Sequence, residues 1–405
     1  MNPFYRNIPI LAFGQAMMLS ATSLMITSSA LVGYALAEDK SLATLPLAVG
    51  FVAVMLTSIP AAWLMHHIGR KHGFMLATLF GMSGGALATW SILNGEFWGF
   101  VIAAWLTGMY NGFGNYYRFT AADTVAAPLK SRAISFIMAG GVIAAFVGPN
   151  LANTSRDWIS GAEFAGSYAA IIVLYLLTTA ALSFLRLPRE ADDQNNPGPP
   201  PRPLLQIVRQ PRYIIALVCG TLGYGVMSLV MTATPLAMDQ HAHPFGQTAF
   251  VIQWHVLGMF APSFFTGFLI ERFGLRNVLR IGVLFGFACV AVNLGGTSVW
   301  HFWAALFLLG LSWNFLFIGA TSLLTQTYTQ AEKARTQASN DFAVFTTVTL
   351  SSLSAGALQH KLGWEMVNLG VLPLLAIVWV AIVALGNIDR NNRHESDPGA
   401  GPDPK

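Results

Sequence analysis

Apolar stretches of roughly 20 residues, each long enough to cross a bilayer core of about 30 Å as a helix, recur along the chain. Most of the segments between them are short and polar. Twelve such stretches have the approximate limits 9–37, 44–65, 74–93, 98–120, 133–153, 165–185, 213–238, 248–270, 277–296, 300–324, 338–358 and 366–386. This pattern predicts an all-α membrane protein with twelve transmembrane helices.

One polar interruption is longer than the others. Residues 186–211 are rich in Pro, Asp and Asn, a composition that is typical of a flexible linker and does not build a core. The interruption predicts an N-terminal six-helix bundle over 1–185 and a C-terminal six-helix bundle over 212–386. The polar tail 387–405 is expected to be disordered.

Composition supports a membrane protein, because 54% of the 405 residues are hydrophobic and only 10% are charged. A soluble domain usually has about a quarter of its residues charged. The two cysteines, Cys219 and Cys289, fall in separate apolar stretches, so no disulfide framework is predicted.

The basic residues concentrate in the loops on one side of the predicted membrane domain. Loops rich in Lys and Arg remain in the cytoplasm, so we expect a multi-pass membrane protein with both termini and the linker cytoplasmic. The basic residues are scattered singly, which gives no support to nucleic-acid binding. We expect the lipid bilayer as surroundings and a monomer as the working unit.

The two halves repeat each other. AWLMHHIGRK after the second span matches GFLIERFGLR after the eighth, and KSRAIS, with Lys130 and Arg132, matches KARTQAS. Matching loops at a fixed offset indicate one unit used twice. The loop pattern G-x-L-x-[DE]-R-x-G-x-[RK] resembles the signature of the major facilitator superfamily.

The signature is complete in the second half and altered in the first. The matching residues are Gly267, Leu269, Glu271, Arg272, Gly274 and Arg276 in the second half and Leu64, Gly69, Arg70 and Lys71 in the first. His66 and His67 replace the usual acidic and basic pair. The resemblance implies a carrier whose central site opens alternately to each face, with these loops holding the cytoplasmic gate. The two histidines leave the first-half gate in question.

Few ionisable residues fall within the spans. Arg118 and Asp123 lie near the cytoplasmic end of the fourth span, and Asp341 lies near the start of the eleventh. Ionisable residues in spans are functional candidates, and these three are candidates for a cavity, an ion pair or a gate. The middle of the spans offers little charge to an anionic or zwitterionic substrate.

Two short patterns place sulfur and imidazole groups at helical spacing. MSLVM runs from Met227 to Met231 in the seventh span, and HVLGM runs from His255 to Met259 in the eighth. Residues four apart share a helix face, and a rise of 1.5 Å per residue gives the two pairs matched depths. Thioethers and imidazole together favour Cu⁺. The alternative is that the methionines fill gaps between helices.

With these motifs in adjacent spans, the chain also resembles the CcoA-type copper importers of bacteria. The resemblance implies a carrier that brings copper, as Cu⁺, across the inner membrane for assembly of a cbb-type cytochrome oxidase. It implies Met227, Met231, His255 and Met259 as ligands, with copper as transported substrate and no resident cofactor. Copper chaperones on each side would be partners.

Three further residues are candidates for handling copper along its path. Cys219 is a candidate relay toward the cytoplasm, and His241 and His243 are candidates for capture at the periplasmic mouth. Each also has a structural interpretation, as a buried apolar residue or as solvated loop histidines.

The sequence also allows a substrate other than copper. The protein is alternatively a carrier for a small organic molecule such as a drug, a vitamin or a siderophore, with the methionines forming an apolar cavity wall. The sequence contains no GxxxxGK[ST] nucleotide-binding motif and no nucleophile and base in a hydrolase pattern. We therefore expect a secondary carrier and no enzyme.

Overall fold

Helices account for nearly all of the chain that the computed structural model describes, namely residues 3–125, 133, 136–187 and 202–396, and this part contains no strand. Much of the predicted linker, the end of the tail, and Lys130 and Arg132 lie outside these residues. The helices of the first half are α1 Pro3–Leu36, α2 Leu45–Ile68, α3 Arg70–Asn94, α4 Phe97–Gly114, α5 Tyr117–Asp123, α6 Gly140–Ser155 and α7 Ala165–Ser183.

The second half repeats this plan with two irregular helices. Its helices are α8 Leu204–Val208, α9 Pro211–Gln240, α10 Phe245–Phe260, α11 Ser263–Phe273, α12 Leu275–Gly295, α13 Val299–Thr325 and α14 Lys333–Ser396. Helices α10 and α11 meet at a bend of 45° and together are long and apolar enough for one span, and Pro262, which has no backbone N–H to donate, lies at the bend. Gly363 has φ 78° and divides α14 into two helices.

The described helices account for the twelve predicted crossings. Nine helices are long and apolar enough to cross a membrane, and the bent pair of α10 and α11 makes a tenth. One of the nine, Arg335–Ile388, is divided at Gly363 into two helices and therefore provides two crossings. Helix α4, with 18 residues, supplies the remaining one. The prediction of an all-α membrane fold with twelve transmembrane helices is confirmed.

Close helix approach depends on glycine where α10 crosses α13. A Cβ on Gly310 would overlap the backbone carbonyl of His255, and one on Gly258 would lie 3.0 Å from the carbonyl oxygen of Phe307. Small residues at such crossings let helix backbones pack directly, which membrane helices need because lipid supplies no hydrophobic drive between them. This crossing fixes α10, which carries part of the candidate site, against α13.

The end of the predicted linker is fastened to the second half. Arg202 forms a bidentate ion pair with Glu332, with both N–O distances 2.7 Å, and the backbone N–H groups of Arg202 and Thr329 donate to the same carboxylate. These hydrogen bonds, led by those from Arg202, hold the pKa of Glu332 well below its usual range. We call the end of the protein that carries Gly69, Arg202 and Gly274 the linker face, and the other end the opposite face.

The α10–α13 crossing gives a stability prediction. Gly310→Ala places a methyl group against a backbone carbonyl that cannot move without shifting α10. We expect destabilisation by about 1–3 kcal/mol and a lower melting temperature of the purified protein in detergent.

Gly220→Ala is the matched control. Gly220 is also a helical glycine of the second half, but its Cβ would meet only the Ala320 side chain at an ordinary 3.6 Å. Replacing a helical glycine with alanine in free space stabilises a helix by about 0.5–1 kcal/mol. Equal melting temperatures for the two variants would contradict the proposed tight crossing.

Candidate functional site

A cavity of about 110 Å³ lies where helices of the two halves meet. Its lining comes from α1, α2 and α6 of the first half and from α9 and α10 of the second. The lining residues are Leu19, Thr22, Ser23, Ile26, Phe51, Ala144, Tyr224, Met227, Ser228, Met231, Val256, Met259 and Phe260. None of these side chains is acidic or basic, so the cavity offers hydrogen bonds and apolar contact without charge.

A larger cavity, of about 600 Å³, opens at the linker face. Its lining includes Gly274 and Arg276 of the signature loop and consists only of helix ends from the second half. Movement of one half against the other would not alternately open and close such a cavity. We therefore take the cavity between the halves as the candidate site and call it the central cavity.

The first-half side of the central cavity carries hydroxyl groups on α1. The Thr22 hydroxyl donates to the Met18 carbonyl at 3.0 Å and accepts a hydrogen bond from the Asn111 amide at 3.2 Å. Ser23 is only 3% exposed, and its Oγ has no hydrogen-bond partner among the described residues.

The second-half side consists largely of thioethers and aromatic rings. Met227, Met231 and Met259 are all buried and line the cavity together with Tyr224 and Phe260. A second layer of aromatic rings supports this wall from α13. The ring centroid of Trp313 lies 5.3 Å from that of Tyr224, 6.1 Å from that of Phe260 and 5.0 Å from that of Phe317. Packed rings of this kind form a rigid apolar surface.

His255 is directed toward α13 instead of the cavity. Its Nδ1 lies 2.7 Å from the carbonyl oxygen of Leu306, and the side chain is fully buried without lining the cavity. Its Nε2 has no hydrogen-bond partner in the described part of the chain. The structure therefore brings three of the four predicted ligands to the cavity and leaves the imidazole outside it.

The other predicted copper-handling residues lie apart from the cavity. Cys219 is buried in a separate apolar cluster with Ile215 and Leu279. His241 Nδ1 lies 2.7 Å from the Ala237 carbonyl oxygen. Within residues 3–125, 133, 136–187 and 202–396, no three His, Cys, Asp or Glu side chains group as a metal site.

His243 is held by two hydrogen bonds that fix its loop. Its Nδ1 lies 2.8 Å from Gln247 Oε1, and its Nε2 lies 2.7 Å from the Thr297 carbonyl oxygen. With both ring nitrogens engaged, His243 joins the start of α10 to the loop before α13.

Hydrogen bonds and a cation–π contact join the halves at the opposite face. The Gly356 N–H donates to Thr44 Oγ1 at 3.1 Å, and the Asn150 amide donates to Gln253 Oε1 at 2.6 Å. The guanidinium of Arg156 also lies 5.4 Å from the ring centroid of Phe245. These contacts hold α2 to α14 and α6 to α10.

Charged groups cluster at the linker face. Arg70 forms an ion pair with Asp123 at 2.9 Å and donates to Thr120 Oγ1 at 3.1 Å, so the altered first-half loop still holds α5 without His66 or His67. Arg118 of the first half and the exposed Asp341 of the second interact electrostatically across the junction.

The remaining signature residues show how alike the two loops are. Gly69 and Gly274 have φ values of 84° and 83°, so both loops make the same left-handed turn, a conformation that favours glycine. Lys71 Nζ donates to the Ser183 carbonyl oxygen at 2.5 Å. Gly267, Glu271 and Arg272 are exposed.

Comparison with known proteins identifies a matching family and two similar transporters. The family model described as Major Facilitator Superfamily matches residues 11–252 and 216–404. The chain is 43% identical over 379 residues to the riboflavin transporter RfnT of Brucella anthropi, covering 93% of this chain and 95% of that one. It is 26% identical to the uncharacterized MFS-type transporter YdeG of Bacillus subtilis, covering 87% of each chain.

Solved structures agree on the fold. The nucleoside transporter NupG has a TM-score of 0.70 at 14% identity and covers 95% of this chain and 98% of its own. The xylose transporter XylE from E. coli has a TM-score of 0.68 at 11% identity and covers 94% of this chain and 98% of its own. At these identities the likeness shows the fold alone.

The copper interpretation is wrong. The 43% identical relative, matched over 95% of its length, is named for riboflavin and not for copper. The physical reason that the motif misled is visible at His255, which hydrogen-bonds α13 while the methionines face the cavity. The predicted roles in copper import and in cytochrome oxidase assembly are therefore also wrong. The copper roles predicted for Cys219, His241 and His243 depended on copper import and are withdrawn.

This correction predicts that Cu⁺ does not stabilise the protein. A ligand at 100 times its Kd stabilises a folded protein by about 2.7 kcal/mol. We expect the melting temperatures of the wild type and of Met231→Leu to remain unchanged in excess Cu⁺ under reducing conditions. A rise for the wild type that Met231→Leu abolishes would restore the metal site.

Proposed function

Since the chain belongs to the Major Facilitator Superfamily, we propose that it is a secondary carrier of riboflavin and not an enzyme. The observation that carries the proposal is the 43% identity, over 93% of the chain, to a relative named as a riboflavin transporter. The proposed substrate is thus a vitamin instead of copper. A vitamin is one of the small organic substrates that the sequence allows as alternatives.

The chemistry of the central cavity supports a neutral aromatic substrate. Riboflavin is uncharged near neutral pH and joins a flat isoalloxazine ring to a ribityl chain of hydroxyl groups. A charged substrate in a lining without acidic or basic side chains would lose its hydration without gaining a counter-charge. A flat ring gains stacking and apolar contact from Tyr224 and Phe260, which Trp313 supports from behind.

The size of the cavity indicates how the substrate would enter. At about 110 Å³ the cavity is smaller than the roughly 300–1,000 Å³ of common ligand sites. Riboflavin would therefore bind after the two halves move apart at one face. The contacts of Thr44 with Gly356 and of Asn150 with Gln253 would separate when the opposite face opens.

We also propose a membrane, a driving force and an oligomeric state for this carrier. The basic loops support a bacterial inner membrane, with the linker face and both termini in the cytoplasm. A neutral substrate gains no energy from the membrane potential by itself, so its own gradient or a coupled ion would drive transport. A monomer suffices, because both walls of the cavity come from one chain.

Riboflavin uptake into proteoliposomes tests the function. We expect saturable uptake by the wild-type protein, unaffected by Cu⁺. Phe260→Ala removes a ring from the cavity wall, and because an aromatic contact contributes about 0.5–1.5 kcal/mol beyond area burial, we expect affinity to fall about tenfold.

Phe285→Ala is the matched control. Phe285 pairs with Phe315 at 5.8 Å between ring centroids and does not line the cavity, so its removal should leave riboflavin affinity unchanged. Absence of saturable riboflavin uptake by the folded wild type would refute the proposed function.

The charges at the linker face give a second transport prediction. Arg118 and Asp341 belong to opposite halves, and their attraction would favour closure of that face. We expect Arg118→Gln and Asp341→Asn each to slow riboflavin transport while binding remains.

The double variant separates this attraction from independent roles of the two groups. Once one partner is removed, removal of the other should change little, so the combined loss should be smaller than the sum by about 0.5–3 kcal/mol. Strictly additive losses would show that the two groups do not act as a pair.

A further inference from the structure

The two walls of the central cavity carry different polar and polarisable groups. The first wall places the hydroxyls of Thr22 and Ser23 on α1 beside apolar side chains, whereas the second wall carries three thioethers and two aromatic rings from α9 and α10. Two hydroxyls also belong to the second wall, those of Tyr224 and Ser228, and the Ser228 hydroxyl donates to the Val348 carbonyl oxygen at 3.4 Å. A substrate that spans the cavity therefore meets adjacent aliphatic hydroxyls at one side and the thioethers at the other.

The Ser23 hydroxyl, unlike those of Thr22 and Ser228, lacks a hydrogen-bond partner among the described residues. Of the buried side-chain N and O atoms without a hydrogen bond in the part of the chain described, Ser23 Oγ is the one whose residue lines the central cavity. A buried hydroxyl left without a hydrogen bond is destabilising, because it has lost its bonds to water. A ligand hydroxyl that reaches Ser23 would remove this cost and can either donate to it or accept from it.

Thr22 adds a second, more restricted contact. Its proton is committed to the Met18 carbonyl, and Asn111 already donates to its oxygen. The remaining lone pair of Thr22 Oγ1 can only accept, so a ligand would have to donate to it. Adjacent Ser23 and Thr22 thus suit a chain of hydroxyl groups, each of which both donates and accepts.

The second wall is distinguished by its thioethers. Sulfur in methionine is polarisable and contacts aromatic rings favourably. Met227, Met231 and Met259 lie beside Phe260 and Tyr224 around the same cavity. The thioethers that suggested a soft metal therefore suit a polarisable flat ring.

We propose that this carrier holds riboflavin in one fixed orientation, with the isoalloxazine ring against the wall of Met227, Met231, Met259 and Phe260 and the ribityl hydroxyls at Ser23 and Thr22. This proposal rests on the proposed riboflavin function and adds to it the residues that contact the ring and the ribityl chain of riboflavin. Because the two walls belong to opposite halves, the bound vitamin contacts both, with its ribityl chain at the first half and its ring at the second.

Lumiflavin tests the orientation, because it has the isoalloxazine ring with a methyl group in place of the ribityl chain. Binding of each flavin to the purified full chain is measured by quenching of flavin fluorescence. Ser23→Ala should weaken riboflavin binding about fivefold, the effect of one hydrogen bond of about 1 kcal/mol, and leave lumiflavin binding unchanged. Met259→Ala should weaken both flavins by the same factor.

Ser91→Ala is the matched control for the serine variant. Ser91 in α3 is also fully buried with an unpartnered Oγ but does not line the cavity, so its removal should change neither affinity. Ser23→Ala adds no atom, and a melting temperature equal to that of Ser91→Ala checks that it folds. Met259→Leu, which keeps an apolar side chain of similar size, should weaken both flavins equally but less than Met259→Ala.

The outcomes separate the inference from the proposed function. If the folded wild type binds neither flavin, the riboflavin function itself fails. If it binds riboflavin and Ser23→Ala alters both flavins equally, or neither, the orientation is wrong while the function stands. A loss confined to lumiflavin in Ser23→Ala, or to riboflavin in Met259→Ala, also overturns the orientation.

Discussion

A charge without a partner is costly inside a membrane protein, and the plan of this carrier follows from that constraint. Two ion pairs, Arg70 with Asp123 and Arg202 with Glu332, lie at the linker face, away from the central cavity. The central cavity retains only hydroxyls, thioethers and aromatic rings. Such a neutral centre suits the neutral substrate proposed above, for which shape, stacking and hydrogen bonding would be the means of recognition.

The methionines show how one chemical property serves two different ligands. A thioether is soft and polarisable, which favours Cu⁺ in a metal site and equally favours contact with a flat aromatic ring. What separates the two cases is the rest of the surroundings. A metal site needs further ligands directed at one point, whereas here Tyr224 and Phe260 extend the methionines into a broad wall.

The fold could be predicted from the sequence because span length and loop signatures are local properties. An apolar stretch long enough to cross the bilayer is visible without knowledge of its neighbours, and Gly69 and Gly274 mark the same turn in both halves. The direction of His255 could not be predicted in this way. It depends on the carbonyl of Leu306 in another helix, and one helical turn suffices to place Met259 at the cavity and His255 against α13. The missing partner of Ser23 likewise depends on the packing of helices that are distant in sequence.

Hydrogen bonds and charged contacts between the two halves respond differently to the surrounding solution. Thr44 with Gly356 and Asn150 with Gln253 form uncharged hydrogen bonds at the opposite face, which dissolved salt hardly affects. Charges also act across that face, because Arg156 lies over the Phe245 ring and Lys361 acts on Asp39, and Arg118 interacts electrostatically with Asp341 between the halves. Ions screen such interactions over about 8–10 Å at physiological ionic strength. Salt therefore weakens the charged contacts between the halves and leaves their hydrogen bonds in place.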